Sequence, residues 1–319
     1  MAEWLVEEGI GEHRAVLVEG GHILAAKLEW PGSLAAGLVE DARLIARPRG
    51  SSRGLARFAN GEEALVDRLP LNAVEGAVIR LEVTRAAIAE QGRFKRAQAR
   101  PTQAPPQTAP SLAQRLQARV VRSFQDCDWD ELWSEAYDGA IAFAGGSLQV
   151  SPTPAMTLID IDGPARGREL ALAAVAPLAQ ALRRFDLGGS IGVDFPTLEA
   201  KVDRRAVDEA LAVALDDWPH ERTAMNGFGF VQIVARLTGP SLSHRLHFTR
   251  TGACARRLLR LAERVAGYGP ILLTAHPVLL AALQPDWLTE LERRTGRAVT
   301  LAGDPGLALD GSFAQAAAA

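Results

Sequence analysis

Met156-Thr-Leu-Ile-Asp-Ile-Asp162 and Ser190-Ile-Gly-Val-Asp-Phe195 are two short apolar runs, each closing on acid. Between them, Arg166 to Arg184 carries apolar residues at helical spacing: Leu170, Leu172, Val175, Leu178 and Leu182. The pattern predicts a strand–helix–strand unit, and such crossovers join parallel strands. Neighbouring parallel strands bring their C-terminal ends together, at the edge where open α/β sheets place ligands. Asp160 and Asp194 are then expected to meet. Asp162 should be near, because residues two apart on a strand face one side. Converging carboxylates suit a hard divalent cation. Such acids can equally cap the helices that follow, and two strands with the same ending leave both readings open.

Outward from this unit, residues 3–8, 14–19 and 22–29 read as a meander of strands turned by Gly20-Gly21. From Leu38 to about Ile88 the pattern stays β-like, with Asn60-Gly61 as a hairpin signal. Residues 36–100 hold twelve Arg/Lys against eight Asp/Glu, although the whole chain carries a net charge of −3. Short strands with a basic face suit a small barrel of the oligonucleotide-binding kind. Residues 101–110 contain four prolines, which predicts a stiff connector. Beyond it, helices are expected over Leu112–Phe124 and over Trp129–Tyr137, the second capped by Asp128 or Asp130. Strand material follows over Ala140–Val150, broken at Gly145-Gly146. The unit around the acids then extends through a helix at Asp203–Leu215 and a strand at Phe228–Arg236, giving β-α-β-α-β. The C-terminal part predicts a helix (Ala253–Val265), a strand (Ile271–Thr274), a helix (Val278–Arg294) and a strand (Val299–Ala302), with a frayed tail from Asp310.

A length of 319 residues predicts two or three domains, and 48% apolar and 23% charged residues are ordinary for a globular protein. No apolar run is long enough to span a bilayer and no basic-then-apolar leader opens the chain, so a cytoplasmic protein without membrane contact is expected. The two cysteines, Cys127 and Cys254, belong to no CxxC pair, which excludes a disulfide framework and a four-cysteine zinc site. A Mg²⁺ ion held by carboxylates keeps waters and awaits a phosphate group. It can stabilise charge on a phosphodiester oxygen and lower the pKa of an attacking water. With a basic barrel to hold the rest of a polyanion, metal-assisted phosphodiester hydrolysis is the joint reading.

Gly145-Gly-Ser-Leu, Ala155-Met-Thr-Leu-Ile-Asp-Ile-Asp, Leu187-Gly-Gly-Ser-Ile-Gly-Val-Asp-Phe and Gly227-Phe-Gly-Phe-Val-Gln stand in this order. They resemble the successive motifs of the ribonuclease E/G endoribonucleases. The resemblance implies that Asp160 and Asp194 are catalytic and hold Mg²⁺ (Mn²⁺ being the other candidate ion), with Asp162 assisting. It implies cleavage of single-stranded RNA by water, leaving a 5′-phosphate, and a homodimer. It also implies an α/β multidomain fold. Residues 1–35 and 112–145 would form a ribonuclease-H-like half, and residues 36–100 an inserted S1/OB-like β-barrel. Residues 101–111 would be the linker, 146–250 the DNase-I-like metal-binding half, and 251–319 a small C-terminal α/β unit. Arg57, Phe58, Phe94 and Lys95 are the candidates for stacking and holding RNA bases, and Arg236 for a phosphate near the metal.

Three features depart from the family pattern. Ser243-His-Arg-Leu-His-Phe stands where a zinc-binding CPxC is expected, so no zinc is expected. Two readings stand for His244 and His247 with Cys254: a replacement zinc site, loosely spaced and with no evident fourth ligand, or surface histidines that coordinate nothing. The segment that senses a 5′-monophosphate is short or missing. Gly227 and Gln232 occupy positions where Arg and Glu are expected, and Asp162 one where Asn is usual. Two rivals follow: an inactive RNA-binding protein of the same fold, and a haloacid-dehalogenase-like phosphohydrolase suggested by Asp160-Ile-Asp162-Gly, whose next residue is Pro164. No GxGxxG follows a strand, which leaves dinucleotide binding unsupported.

Overall fold

A computed structural model describes residues 1–317 apart from Gln91, Gln125, Asp126 and Arg166. The chain opens with the predicted meander: β1 (Glu3–Gly9), β2 (Glu12–Glu19) and β3 (His22–Glu29) pair antiparallel in sequence order. Gly20 and Gly21 supply its turn with φ of 58° and 83°, which side chains with a Cβ rarely adopt.

The next strands build the barrel. β4 (Val39–Ala46), β5 (Gly54–Arg57), β6 (Glu63–Val66) and β7 (Val78–Arg85) lead into a small hairpin of β8 (Ile88–Glu90) and β9 (Arg93–Lys95), then β10 (Ala97–Pro101). The closed ring runs β10-β6-β5-β4-β7, which fits an inserted OB-like barrel. Alternation fills its interior with Leu44, Ala56, Val66, Leu81 and Val83, and this core is separate from that of the rest of the chain. Asn60-Gly61 turns β5 into β6, Gly61 N–H donating to the Phe58 carbonyl at 3.0 Å.

Past the prolines, α1 (Leu112–Leu116) is shorter than the helix expected to Phe124. A capping box of Ser111 and Gln114 starts it, and Gln117 at φ 50° stops it. Arg119-Val-Val121 instead forms β11, which lies parallel against the free edge of β1. Then follow α2 (Trp129–Asp138), β12 (Ala140–Phe143), β13 (Gly146–Pro152) and β14 (Thr157–Asp162). Asp128 is the N-cap position of α2 but makes no capping hydrogen bond.

The helix expected over 166–184 is two: α3 (Arg168–Ala173) and α4 (Val175–Arg184). Pro177 has no N–H for the last carbonyls of α3, so the ladder breaks there; Arg166 lies outside the described residues. β15 (Gly189–Asp194), α5 (Lys201–Ala214), β16 (His220–Arg222) and β17 (Phe230–Ala235) complete a six-stranded sheet of order β12-β13-β14-β15-β17-β16. β14 and β15 are parallel, as the crossover requires, but β17 returns antiparallel to β15.

The chain ends with α6 (Leu242–Leu246), α7 (Arg250–Glu263), β18 (Ile271–Ala275), α8 (Pro277–Leu280), α9 (Pro285–Thr295), β19 (Val299–Gly303) and β20 (Phe313–Ala316). Pro285 splits the helix expected over 278–294 by opening a new one at its favoured first position. The tail expected to fray forms β20 on the open edge of β18, although Ala318 and Ala319 lie outside the described residues. One apolar core runs through the meander, the six-stranded sheet and the C-terminal unit, from Val16 through Ile159 and Leu178 to Leu258 and Leu291. Among the described residues no helix is long and apolar enough to cross a membrane.

Candidate active site

Burial alternates strictly along β14: Thr157, Ile159 and Ile161 point inward, and Leu158, Asp160 and Asp162 point out. Ile159, Ile161, Ile191, Val193, Val231 and Ile233 form the inner face and pack against Leu170, Leu178, Leu182, Val207 and Leu211 of α3–α5. A slip of one residue would turn such a face to water, at about 1.5–3 kcal/mol per side chain. The inner face therefore enforces the register of the outer one. That register pairs Asp160 with Asp194 across the parallel strands, Gln149 with Asp160 on one side, and Phe230 with Asp194 on the other. Cross-strand partners share a face, so these four residues form a row over four strands on the exposed side of the sheet.

Adjacent strands lie roughly 4.8 Å apart, close enough for two carboxylates to share an ion or its hydration shell. Asp162 does not join them. It sits two residues along, roughly 6.6 Å away by strand rise, faces Ser147, and accepts from the Gly163 N–H at 2.8 Å. Among the described residues no three His, Cys, Asp or Glu side chains cluster as a ready-made ion cage. The protein offers a pair of acids, and water would complete any coordination shell.

Beside the pair stands a ring that sequence reasoning missed. A Cβ at Gly192 would lie 2.5 Å from Phe230 Cζ and 2.9 Å from Met156 Sδ. Gly192 thus leaves room for the edge of the half-buried Phe230 ring to lie on the sheet next to Asp194. The signal was a glycine at an outward position inside a strand, which marks a close approach. Phe228, 81% exposed, stands on the adjoining loop. Asn226 holds that loop, its Oδ1 accepting from the Phe228 and Phe230 N–H groups at 2.9 and 3.1 Å. Gln232 pairs with Gly192 in register and donates to Ser190 Oγ at 3.3 Å, so the face carries a neutral amide where Glu was expected. At Gly227, where Arg was expected, the position faces open space.

Other expected residues lie elsewhere. Arg236 follows β17, whose antiparallel course puts Ala235 against Gly189 and Phe230 against Asp194. Arg236 is therefore at the end of the sheet away from Asp194, and a phosphate contact beside the acid pair is excluded by strand direction. Phe58 is 3% exposed inside the barrel core and offers no face to a base. Arg57 is on the barrel surface, paired with Glu63 at 2.8 Å. Phe94 is 65% exposed in the middle of β9, opposite Ala89, and Lys95 is paired with Glu90.

Arg85, Arg93, Phe94, Lys95 and Arg96 line a cleft of about 520 Å³ that also includes Leu237. Arg93 donates to the Pro154 carbonyl at 2.6 Å, tying this hairpin to the turn that begins β14. The basic cleft thus opens at the start of the strand that carries Asp160. His244 Nδ1 is engaged with Ser241 at 2.6 Å, His247 Nδ1 lies 3.0 Å from the Tyr137 carbonyl, and Cys254 is buried. No group of three ligating side chains clusters with them among the described residues.

A model of the Ribonuclease E/G family matches residues 67–236, more than half of the chain. No curated protein matches it. The matched segment runs from the end of β6 through both acid-bearing strands to the end of β17.

Proposed function

This chain belongs to the ribonuclease E/G family and is an endoribonuclease, and we propose that it cleaves single-stranded RNA by metal-assisted hydrolysis at Asp160 and Asp194. The observation that carries this reading is the register match of the two acids on one exposed face. An all-oxygen donor pair with free coordination positions suits Mg²⁺ or Mn²⁺ rather than zinc. A bound ion would supply charge stabilisation on the phosphodiester and a more acidic water. The chain's own residues bind and orient. The basic cleft at the hairpin holds the strand as it reaches β14, and Phe230 and Phe228 give bases a surface beside Asp194. Asp162 acts through water.

The finer architecture is part of the same proposal. β1–β3 with β11 form the ribonuclease-H-like half and the six-stranded sheet the DNase-I-like half. The barrel is the S1-like insert, within the boundaries read from the sequence. The product carries a 5′-phosphate, and the working form is a homodimer. A fluorogenic single-stranded RNA with Mg²⁺ tests the reaction. Cleavage that vanishes with EDTA and in Asp194→Asn supports it, and ligation of the product tests the 5′-phosphate. Gly227 and Gln232 favour one alternative, an RNA-binding protein without turnover. That alternative predicts binding that survives chelation and no cleavage at any metal concentration.

A further inference from the structure

A second cleft, of about 500 Å³, lies between the barrel hairpin, the end of β3 and helices α6 and α7. Its walls include Trp30, Phe94, His244, Arg245 and Arg256. Two arginines converge on one indole: the Arg256 guanidinium is 3.9 Å and that of Arg245 5.1 Å from the Trp30 ring centroid. Among the described residues Arg256 donates to the backbone carbonyls of Gly11 at 2.7 Å and Gly252 at 2.9 Å, and its guanidinium also lies 4.6 Å from the Trp287 ring centroid. Arg245 Nε and Trp30 Nε1 are sealed from solvent without an acceptor among the described residues.

Glu62 and Glu63 line the cleft itself and Glu12 and Glu29 lie nearby, each held by other groups. Glu29 pairs with Arg115 at 3.0 Å and Glu12 with Arg260. Glu62 accepts from Leu34 N–H and from Asn60, both at 3.0 Å, and Glu63 pairs with Arg57 and Arg96. Burial pushes both Arg245 and Arg256 down to about 10, so both stay charged at neutral pH. Burial pushes His244 down to about 4, which leaves it neutral. Buried charges are normally paired. Here neither Arg245 nor Arg256 has an ion-pair partner among the described residues, and Glu29 and Glu12 favour their charged forms only from a distance.

We propose that this cleft seats one internal nucleotide of the RNA chain, its base against Phe94 and its phosphate toward Arg245 and Arg256. Trp30 holds the guanidinium planes. The cleft shares Phe94 and Arg96 with the basic cleft on the other side of the hairpin, so one strand can occupy both. The proposal rests on RNA being the substrate but not on the acid pair being competent.

Anisotropy of a fluorescent single-stranded RNA in EDTA, over a salt series, tests it apart from cleavage. Arg245→Gln is expected to weaken binding about tenfold and to make the log affinity against log salt slope shallower by roughly 0.7. Phe94→Ala is expected to weaken it about fivefold without changing that slope. A folded Arg245→Gln with unchanged affinity and slope overturns the proposal. Photocrosslinking of wild-type protein to RNA containing 4-thiouridine gives a second measure. Adducts within 29–33 or 244–256 support the site, and adducts confined to other segments overturn it. Adenosine monophosphate that raises the melting temperature while Arg245→Gln leaves RNA affinity untouched would assign a free nucleotide, and overturns the RNA reading too.

Discussion

Two regions hold like charges without ion-pair partners among the described residues, and they hold them differently. Asp160 and Asp194 stand on an exposed sheet face, where water solvates each carboxylate and the pair costs the fold little. Arg245 and Arg256 are stacked against Trp30 in a cleft, where unpaired charge is expensive. The difference teaches which region is coupled to stability. The acid face can change without unfolding the chain, because its register is enforced by the aliphatic residues beneath. Changes in the arginine cleft cost stability as well, because the same groups that await a ligand also pack α6 and α7.

The comparison breaks first at Asp194. Asp194→Asn is expected to lower the cleavage rate by about a thousandfold, the loss of several kcal/mol of metal-supported stabilisation, with an unchanged melting temperature. A gel assay beside calorimetry checks both halves. A melting temperature that falls steeply would show the acid face to be structural. On the enclosed side the largest effect is of pH on stability. His244 is 6% exposed and its folded pKa is pushed down to about 4 by burial, below the ordinary 6.5. The unfolded chain therefore binds the proton first. The stability contributed by neutral His244 is complete above pH 6.5, declines as pH falls, and is lost below about 4. The change is of order 3 kcal/mol. His244→Gln should flatten this part of a denaturation-versus-pH curve, and parallel curves for the two proteins would show the cleft to be wetter than described.

Gly192→Ala sharpens the contrast further. The new methyl meets Phe230 and Met156, so a cost of about 1–2 kcal/mol and a displaced ring are expected. Urea denaturation reads the first and cleavage of short RNAs the second. The smallest effect belongs to Arg236→Ala. Its distance from Asp194 predicts a cleavage rate at saturating RNA within about twofold of wild type, although Leu237 beside it lines the basic cleft. A large loss at saturating RNA would mean that strand direction does not exclude it.

What could be read from the sequence was local and periodic. The alternation in Thr157-Leu-Ile-Asp-Ile-Asp162 fixed which face the acids take, and the Leu170–Leu182 stripe required a crossover, hence parallel β14 and β15. The direction of β17 was not legible, because Phe230–Ala235 reads alike in either sense and β16 intervenes; this is what misplaced Arg236. Phe58 was misread because it follows Arg57 just past β5, where an aromatic residue serves a core or a surface equally. β20 was hidden in Phe-Ala-Gln-Ala, which has no β-branched residue and takes strand form only because β18 has an open edge. The cleft at Trp30 was invisible for a different reason. Trp30, Phe94 and Arg245 come from segments far apart, and no local pattern records that they meet.

The parallel pairing of β11 with β1 sets an order for synthesis. Leu5, Val6 and Glu7 emerge early, yet their neighbours Arg119, Val120 and Val121 are made only after the whole barrel. While the ribosome builds the insert, the nascent meander carries a bare β-edge, the template on which chains aggregate. The barrel, having its own core, can close during that wait. A stall between residues 36 and 118 should therefore expose the edge for longer and call for chaperone protection.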